Sequence, residues 1–199
     1  MIEIITIGSA TKDAFLISKG FKLINTNKFS TGVGECFAYG EKIEVSDLNF
    51  TSGGGATNAA ATMSNFGIKA GVYTQVGDDL FGHEIISELK KRRIDVRNLH
   101  LSKKHKTAYS TILLSPHGDR TILVYRGASH DFEAKQLNPG NLKAKWFYLT
   151  ATAGNLPFIK KTFAIAKRNG TNVFWNPGGG ELSLGLKALD PYLNQTQVL

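Results

Sequence analysis

A single cysteine, Cys36, stands among 199 residues, so the chain can form no internal disulfide. That usage fits a reducing compartment and a cytoplasmic protein. No stretch approaches the roughly 20 apolar residues of a membrane span. Met1 leads directly into Ile2-Glu3-Ile4-Ile5-Thr6-Ile7, a strand pattern rather than a signal peptide. Internal repeats and low-complexity tracts are also missing. The five histidines (His83, His100, His105, His117 and His130) have no metal-ligand spacing and read as surface or packing residues. Cys36 has no base near it in sequence and is given no nucleophilic role. Acids are scarce, 16 against 24 Lys and Arg, for a net charge of +8. The excess is local: Lys90 to Lys106 holds eight Lys or Arg and one acid, Asp95, leaving +1 elsewhere. No stacking aromatics interleave with these charges, so a solvated helix end is expected and nucleic-acid binding is not.

Apolar content of 42 % and 21 glycines suit an α/β chain with many tight turns. Strands are expected at 2–7, 70–76, 145–149 and 171–175, and helices at 56–66 and about 79–93, the latter with Asp78 as cap. Another helix should start at Asn155, carry Pro157 in its first turn and stop at Gly170. This alternation predicts a mainly parallel sheet with helices on both faces and ligands at the strands' carboxyl ends. Two segments break it. Residues 14–50 hold short β-like runs (14–18, 21–25 and 42–50), and 107–126 reads as a hairpin turning at Pro116-His117-Gly118-Asp119.

The most distinctive stretch is Gly53-Gly54-Gly55-Ala56-Thr57-Asn58. Glycines allow positive φ and close backbone approach. The helix that follows would aim free N–H groups and its positive dipole end at a ligand there. Asn58 could add a donor and an acceptor, or only bond the backbone of its own turn. No Gly-Lys-Ser/Thr follows, and the spacing does not fit Gly-x-Gly-x-x-Gly.

The hexad, continued by Ala60, Gly67 and Gly77, resembles the first signature of the PfkB carbohydrate kinase family, the ribokinase-like sugar and nucleoside kinases. Further matches are Gly8 and Asp13, Val76-Gly77-Asp78-Asp79-Leu80-Phe81-Gly82, Gly118-Asp119-Arg120-Thr121, Arg126-Gly127-Ala128 and Asn176-Pro177-Gly178, the last read as a structural turn. They fall in the family's order from end to end. The resemblance implies a three-layer α/β/α core over 1–13, 51–106 and 127–199. It also implies a small β lid over 14–50 and 107–126, somewhat elaborated at 19–40, whose apolar face could pair two copies as a homodimer.

It further implies ATP-dependent phosphorylation of a sugar or related hydroxyl compound. Substrate hydroxyls would meet Asp13, the backbone of Gly53 and Gly54, and Asn58, with Thr11 and Arg126 as further candidates. Arg126 could grip an anionic substituent through paired hydrogen bonds, although an ordinary strand-end arginine is the simpler reading. Ribose-specific relatives place Asn where this chain has Thr11, and an acid near Thr150-Ala151-Thr152; both differences argue against ribose. Sugars, sugar phosphates and nucleosides stay open.

The family's Asn-x-x-Glu motif, linked to magnesium and ATP, and its Gly-Ala-Gly-Asp motif, with the catalytic base, do not occur before Leu199. No catalytic residue is therefore expected in this chain, the C-terminal part of the fold is expected to be absent, and ATP and Mg2+ belong to the complete enzyme. The alternative is a non-catalytic truncated or split-enzyme fragment acting as a binding or interaction protein.

Overall fold

The computed structural model describes residues 2–115 and 118–199. In chain order it contains β1 (Ile4–Ile7), β2 (Thr11–Ile17), β3 (Lys22–Asn25), β4 (Val33–Cys36), β5 (Asp47–Gly53), α1 (Gly55–Asn65), β6 (Ala70–Gly77), α2 (Leu80–Lys91), β7 (Asp95–Ser102) and β8 (Ala108–Leu114). There follow β9 (Arg120–Tyr125), β10 (Trp146–Leu149), α3 (Leu156–Asn169), β11 (Asn172–Trp175), a one-turn α4 (Gly179–Leu182) and α5 (Leu186–Leu193). The chain forms two compact units. The first holds Met1–Lys12, Ser52–Ala108 and Arg126–Leu199; the second holds Asp13–Thr51 and Tyr109–Tyr125.

In the first unit, five strands lie in the order β11-β10-β1-β6-β7. All of these neighbours pair in parallel. A sheet covered on both faces wants apolar residues at every position, and β1 and β6 are buried throughout. Alternate side chains divide between two cores. Ile5, Ile7, Tyr73, Phe147, Leu149, Val173 and Trp175 pack with Phe158, Ile159 and Phe163 of α3. On the opposite face Val72 and Val76 pack with Ala56 and Ala60 of α1 and Ile85 and Leu89 of α2. Helix, sheet and helix make the three layers.

The helix ends follow from named residues. Asn155 accepts the N–H of Phe158 and opens α3, Pro157 fits the first turn, and Gly170 closes it at φ +64°. The cap of α2 is Asp79 and not Asp78: Asp79 accepts the Gly82 N–H at 3.0 Å, while Asp78 faces outward to His83. Asp79 also accepts the Thr107 hydroxyl at 2.6 Å and the Thr107 N–H at 2.8 Å. A β-carbon at Gly77 would lie 2.4 Å from the Thr107 nitrogen, so the two segments meet backbone to backbone.

The basic segment differs from the single helix end expected for it. Helix α2 stops at Lys91, and the edge strand β7 separates those cations from Lys103, Lys104 and Lys106. Its polar, charged residues (Asp95, Arg97, Asn98, His100) hid the strand in the sequence.

The second unit has a four-stranded sheet in the order β5-β2-β8-β9 and a separate two-stranded hairpin, β3-β4. The run 42–50 is a strand only from Asp47, and Val33–Cys36 supplies a strand that its polar sequence concealed. The hairpin β8-β9 pairs Leu114 with Arg120 and Tyr109 with Tyr125. Pro116 and His117, at its expected turn, lie outside the described residues.

Burial raises the carboxyl of Asp79, but bonds from the Thr107 hydroxyl and N–H and from the Gly82 N–H, with the charge of Lys106, outweigh it. The group is held below its ordinary 3.8. A depressed acid stabilises the fold above its unfolded-state value and loses that contribution as pH falls through the folded one. Asp79→Asn should therefore cost about 1–2 kcal/mol at neutral pH. The gap from wild type should close below pH 3.8, as read by urea denaturation across pH; a gap that persists in acid would contradict the carboxylate's role.

Candidate functional site

The order of the parallel sheet reverses at β1. The chain builds β6 and β7 on one side of it through α1 and α2, then β10 and β11 on the other through α3. Open α/β sheets bind ligands in the crevice at the carboxyl ends of the strands flanking such a reversal. Here that crevice lies beyond Ile7 of β1 and Leu149 of β10. Three segments of the first unit converge there: Gly8-Ser9-Ala10, Thr150 to Gly154, and Gly53-Gly54-Gly55 at the start of α1.

Bare backbone makes the convergence possible. Gly54 has φ +101°, and a β-carbon on it would lie 2.6 Å from the Ser9 carbonyl oxygen and 2.7 Å from the Ala10 α-carbon. At Gly55 a β-carbon would meet the Thr150 hydroxyl at 2.5 Å; at Gly8 it would meet the Thr150 methyl at 2.3 Å. Thr150 is thus wedged between Gly8 and Gly55. Thr6 donates its hydroxyl to the Ala56 carbonyl at 2.9 Å, fastening α1 to β1.

The first N–H groups of α1 are not all free, contrary to the sequence-based expectation. The Ser9 hydroxyl takes the Gly55 N–H at 3.0 Å and the Ser9 carbonyl takes the Ala56 N–H at 3.1 Å. Ser9 is a remote cap that Gly54, lacking a side chain, cannot supply. Thr57 donates its hydroxyl to the carbonyls of Gly53 and Gly54. The Asn58 N–H bonds the Gly54 carbonyl at 2.9 Å. The Asn58 side chain is exposed and takes no partner among the described residues, so it is not consumed as a helix cap.

The other expected site residues fall on neighbouring segments. Thr11 opens β2, and Asp13 shares its strand face by the two-residue period, while Lys12 and Ala14 point the other way and are buried. Lys12 is fixed by Glu84 at 3.0 Å and Glu88 at 3.7 Å, one turn apart on α2. No sequence signal marked that pair. Asp13 belongs to the second unit, where burial pushes its carboxyl above the ordinary 3.8 and a bond from Ser110 partly opposes the shift. Arg126 precedes the turn Gly127–His130, and its side chain is exposed without a partner among the described residues. Ser129 of that turn donates to the Ala10 carbonyl at 2.5 Å and accepts the Ala10 N–H at 3.2 Å. Among the described residues no three His, Cys, Asp or Glu side chains converge to hold a metal ion.

Comparison with known proteins bears on this crevice. The profile described as "pfkB family carbohydrate kinase" matches residues 4–194. A ribokinase of Schizosaccharomyces pombe is 27% identical over 180 residues, covering 89% of this chain and 54% of that protein. A probable fructokinase-2 of Arabidopsis thaliana is 33% identical over 79 residues, 40% of this chain and 24% of that protein. Among solved structures, a PfkB protein from Polaromonas sp. JS666 superposes with a TM-score of 0.74 at 16% identity, covering 98% of this chain and 64% of its own. Arabidopsis thaliana ribokinase complexed with ribose and ATP gives 0.67 at 18% identity, covering 90% and 55%. At these identities the superpositions speak for the fold. The chain spans about half the length of the ribokinase it matches.

Gly54→Ala should be poorly tolerated, since the new methyl meets backbone that no rotamer change can clear, at a φ that disfavours any side chain. The expected loss is about 2–4 kcal/mol, measured by chemical denaturation. Gly67→Ala, at φ +79° with open space around it, should cost about 1 kcal/mol and serves as the control for backbone strain alone. Equal losses at the two positions would refute the close contact at Gly54.

Proposed function

Because the chain belongs to the pfkB family of carbohydrate kinases, we propose that it is the substrate-binding part of an enzyme that phosphorylates a hydroxyl of a sugar or related compound with ATP. The observation that carries this is the close docking of the α1 amino end at the sheet's switch point, with the exposed amide of Asn58 in its first turn. A polyol needs neighbouring acceptors and donors that hold two hydroxyls at once. Asn58 supplies one of each. The carboxylate of Asp13 supplies acceptors, and the backbone of Gly53 and Gly54 leaves no side chain in the way. The assignment of Asp13 rests on likeness to the family.

Phosphoryl transfer depends chiefly on positioning and charge neutralisation. The residues named here would do the positioning; the donor, ATP, brings the phosphoryl group. Mg2+ is ordinarily held by one or two carboxylates together with the phosphates of the nucleotide. Thr11 and Thr150-Ala151-Thr152, where ribose-specific relatives differ, favour a sugar, sugar phosphate or nucleoside other than ribose. Arg126, exposed and without a partner among the described residues, suits an anionic substituent. A cytoplasmic setting fits such substrates.

We also assign a second copy of the chain to the face of β9. All six residues of this edge strand are exposed, Ile122, Leu123, Val124 and Tyr125 included, and exposed apolar edge strands invite a cover. Leu123→Lys should then convert a dimer to a monomer in analytical ultracentrifugation; a wild-type monomer at all concentrations would remove the assignment.

Titration calorimetry with D-fructose and D-ribose tests the main proposal. Fructose should bind more tightly than ribose, and the chain alone should hydrolyse or transfer no phosphate from ATP. Asp13→Ala should weaken sugar binding by about 1.5–3 kcal/mol, roughly ten- to a hundredfold. Since the carboxyl of Asp13 is raised above 3.8, wild-type affinity should start to fall in acid above that pH, and Asp13→Asn should remove the dependence. Unchanged affinity in Asp13→Ala would take that residue out of the site. ATP turnover by the purified chain would overturn its role as binding part alone.

A further inference from the structure

Glu181 is fully buried, and among the described residues no cation pairs with it. One carboxylate oxygen accepts the Thr152 N–H at 2.7 Å, the Gly154 N–H at 2.8 Å and the Thr152 hydroxyl at 3.0 Å. The other accepts the Gly178 N–H at 2.9 Å, as a residue in the third helical position does toward its N-cap. All four of these partners donate to the carboxylate, so the cradle suits an acceptor. The loop around it is shaped for this. Ala153 and Gly154 both have positive φ, +61° and +70°. The turn brings the N–H groups of Thr152 and Gly154, on either side of Ala153, to one carboxylate oxygen and so forms a nest for an anion. The side-chain-free Gly180 lies against the backbone of Ala153 and Gly154, and Gly178 against Ala151.

We propose that Glu181 is a positioning residue for the amino end of α1. Its carboxylate fixes residues 151–154, and Thr150, at the head of that loop, carries the setting to Gly55 and Gly8, between which it is wedged. The motif Asn176-Pro177-Gly178-Gly179-Gly180-Glu181 thereby acts on the crevice at the switch point from the far side of β10. The consequence for sugar binding rests on the function proposed above; the positioning itself does not.

Hydrogen exchange followed by mass spectrometry separates the two. In Glu181→Gln the amide nitrogen faces donors, and exchange should quicken about tenfold or more at residues 150–155 and 54–58, leaving α2 at its wild-type rate. In Glu181→Ala, formate should enter the vacated nest and restore slow exchange at 54–58, whereas chloride should not. Should the Glu181 variants fail to fold, Thr150→Ala tests the far end of the chain: exchange should rise at 54–58 and not at 152–154. An unchanged 54–58 segment in the variants that fold, or an increase spread evenly over α2 as well, would overturn the proposal. Fructose should protect 54–58 in wild type and less so in Glu181→Gln. Absence of protection in wild type by fructose or ribose would count against the sugar site, while the sugar-free exchange still decides the role of Glu181.

Discussion

The site depends on one contact between stretches of bare backbone, residues 53–55 lying against residues 8–10. Position 54 demands glycine twice over, by its φ of +101° and by the 2.6 Å that would separate a β-carbon from the Ser9 carbonyl. Once the contact is made, its neighbours follow. Ser9 is brought within reach of the Gly55 and Ala56 N–H groups and caps the helix from outside. The buried Ala56 and Ala60 keep α1 close to the sheet, near enough for Thr6 to reach a helical carbonyl. Larger residues on that helical face would lift α1 away and open the crevice.

A unit interrupted twice along the sequence has to fasten the ends of its pieces. Short polar side chains do so here. Ser129 ties the returning chain to Ala10 through both backbone groups of that residue. Asp79 holds Thr107 by hydroxyl and N–H, and Thr107 in turn accepts the Gly77 N–H at 3.0 Å. Ala128 donates to the Lys106 carbonyl at 2.8 Å, joining two stretches that lie 22 positions apart in sequence. Closing a long loop costs only slowly more as it lengthens, so a few bonds of about 1 kcal/mol each can hold such junctions in place.

Residues whose signal is local were legible in the sequence. The limits of α3 could be taken from Asn155, Pro157 and Gly170, because caps act over three or four positions. The alternation of apolar runs gave the parallel sheet, and the glycine hexad marked the crevice. What escaped depends on partners distant in the chain. Ser9 caps a helix more than 40 residues away; Lys12 is buried only because Glu84 and Glu88 face it; Glu181 is meaningful only beside Thr152 and Gly154. Strand β7 escaped for another reason: an edge strand with one solvated side admits charges that mask its period. The choice of Asp78 over Asp79 as cap failed because adjacent acids satisfy the same rule, and Thr107, 28 residues on, decides between them.

Thr150 shows how little room the packing beside the crevice leaves. Position 150 is filled by a residue pressed on two glycines and nearly sealed from solvent. A longer side chain at 150 would push into Gly8 and Gly55 backbone that has no freedom to yield, since Ser9 holds Gly55 from the other side. Replacing the threonine by an acid would therefore disturb the helix end before it could offer a new acceptor. The two small neighbours, the wedge between them and the carboxylate clamp of Glu181 behind it form one packed set.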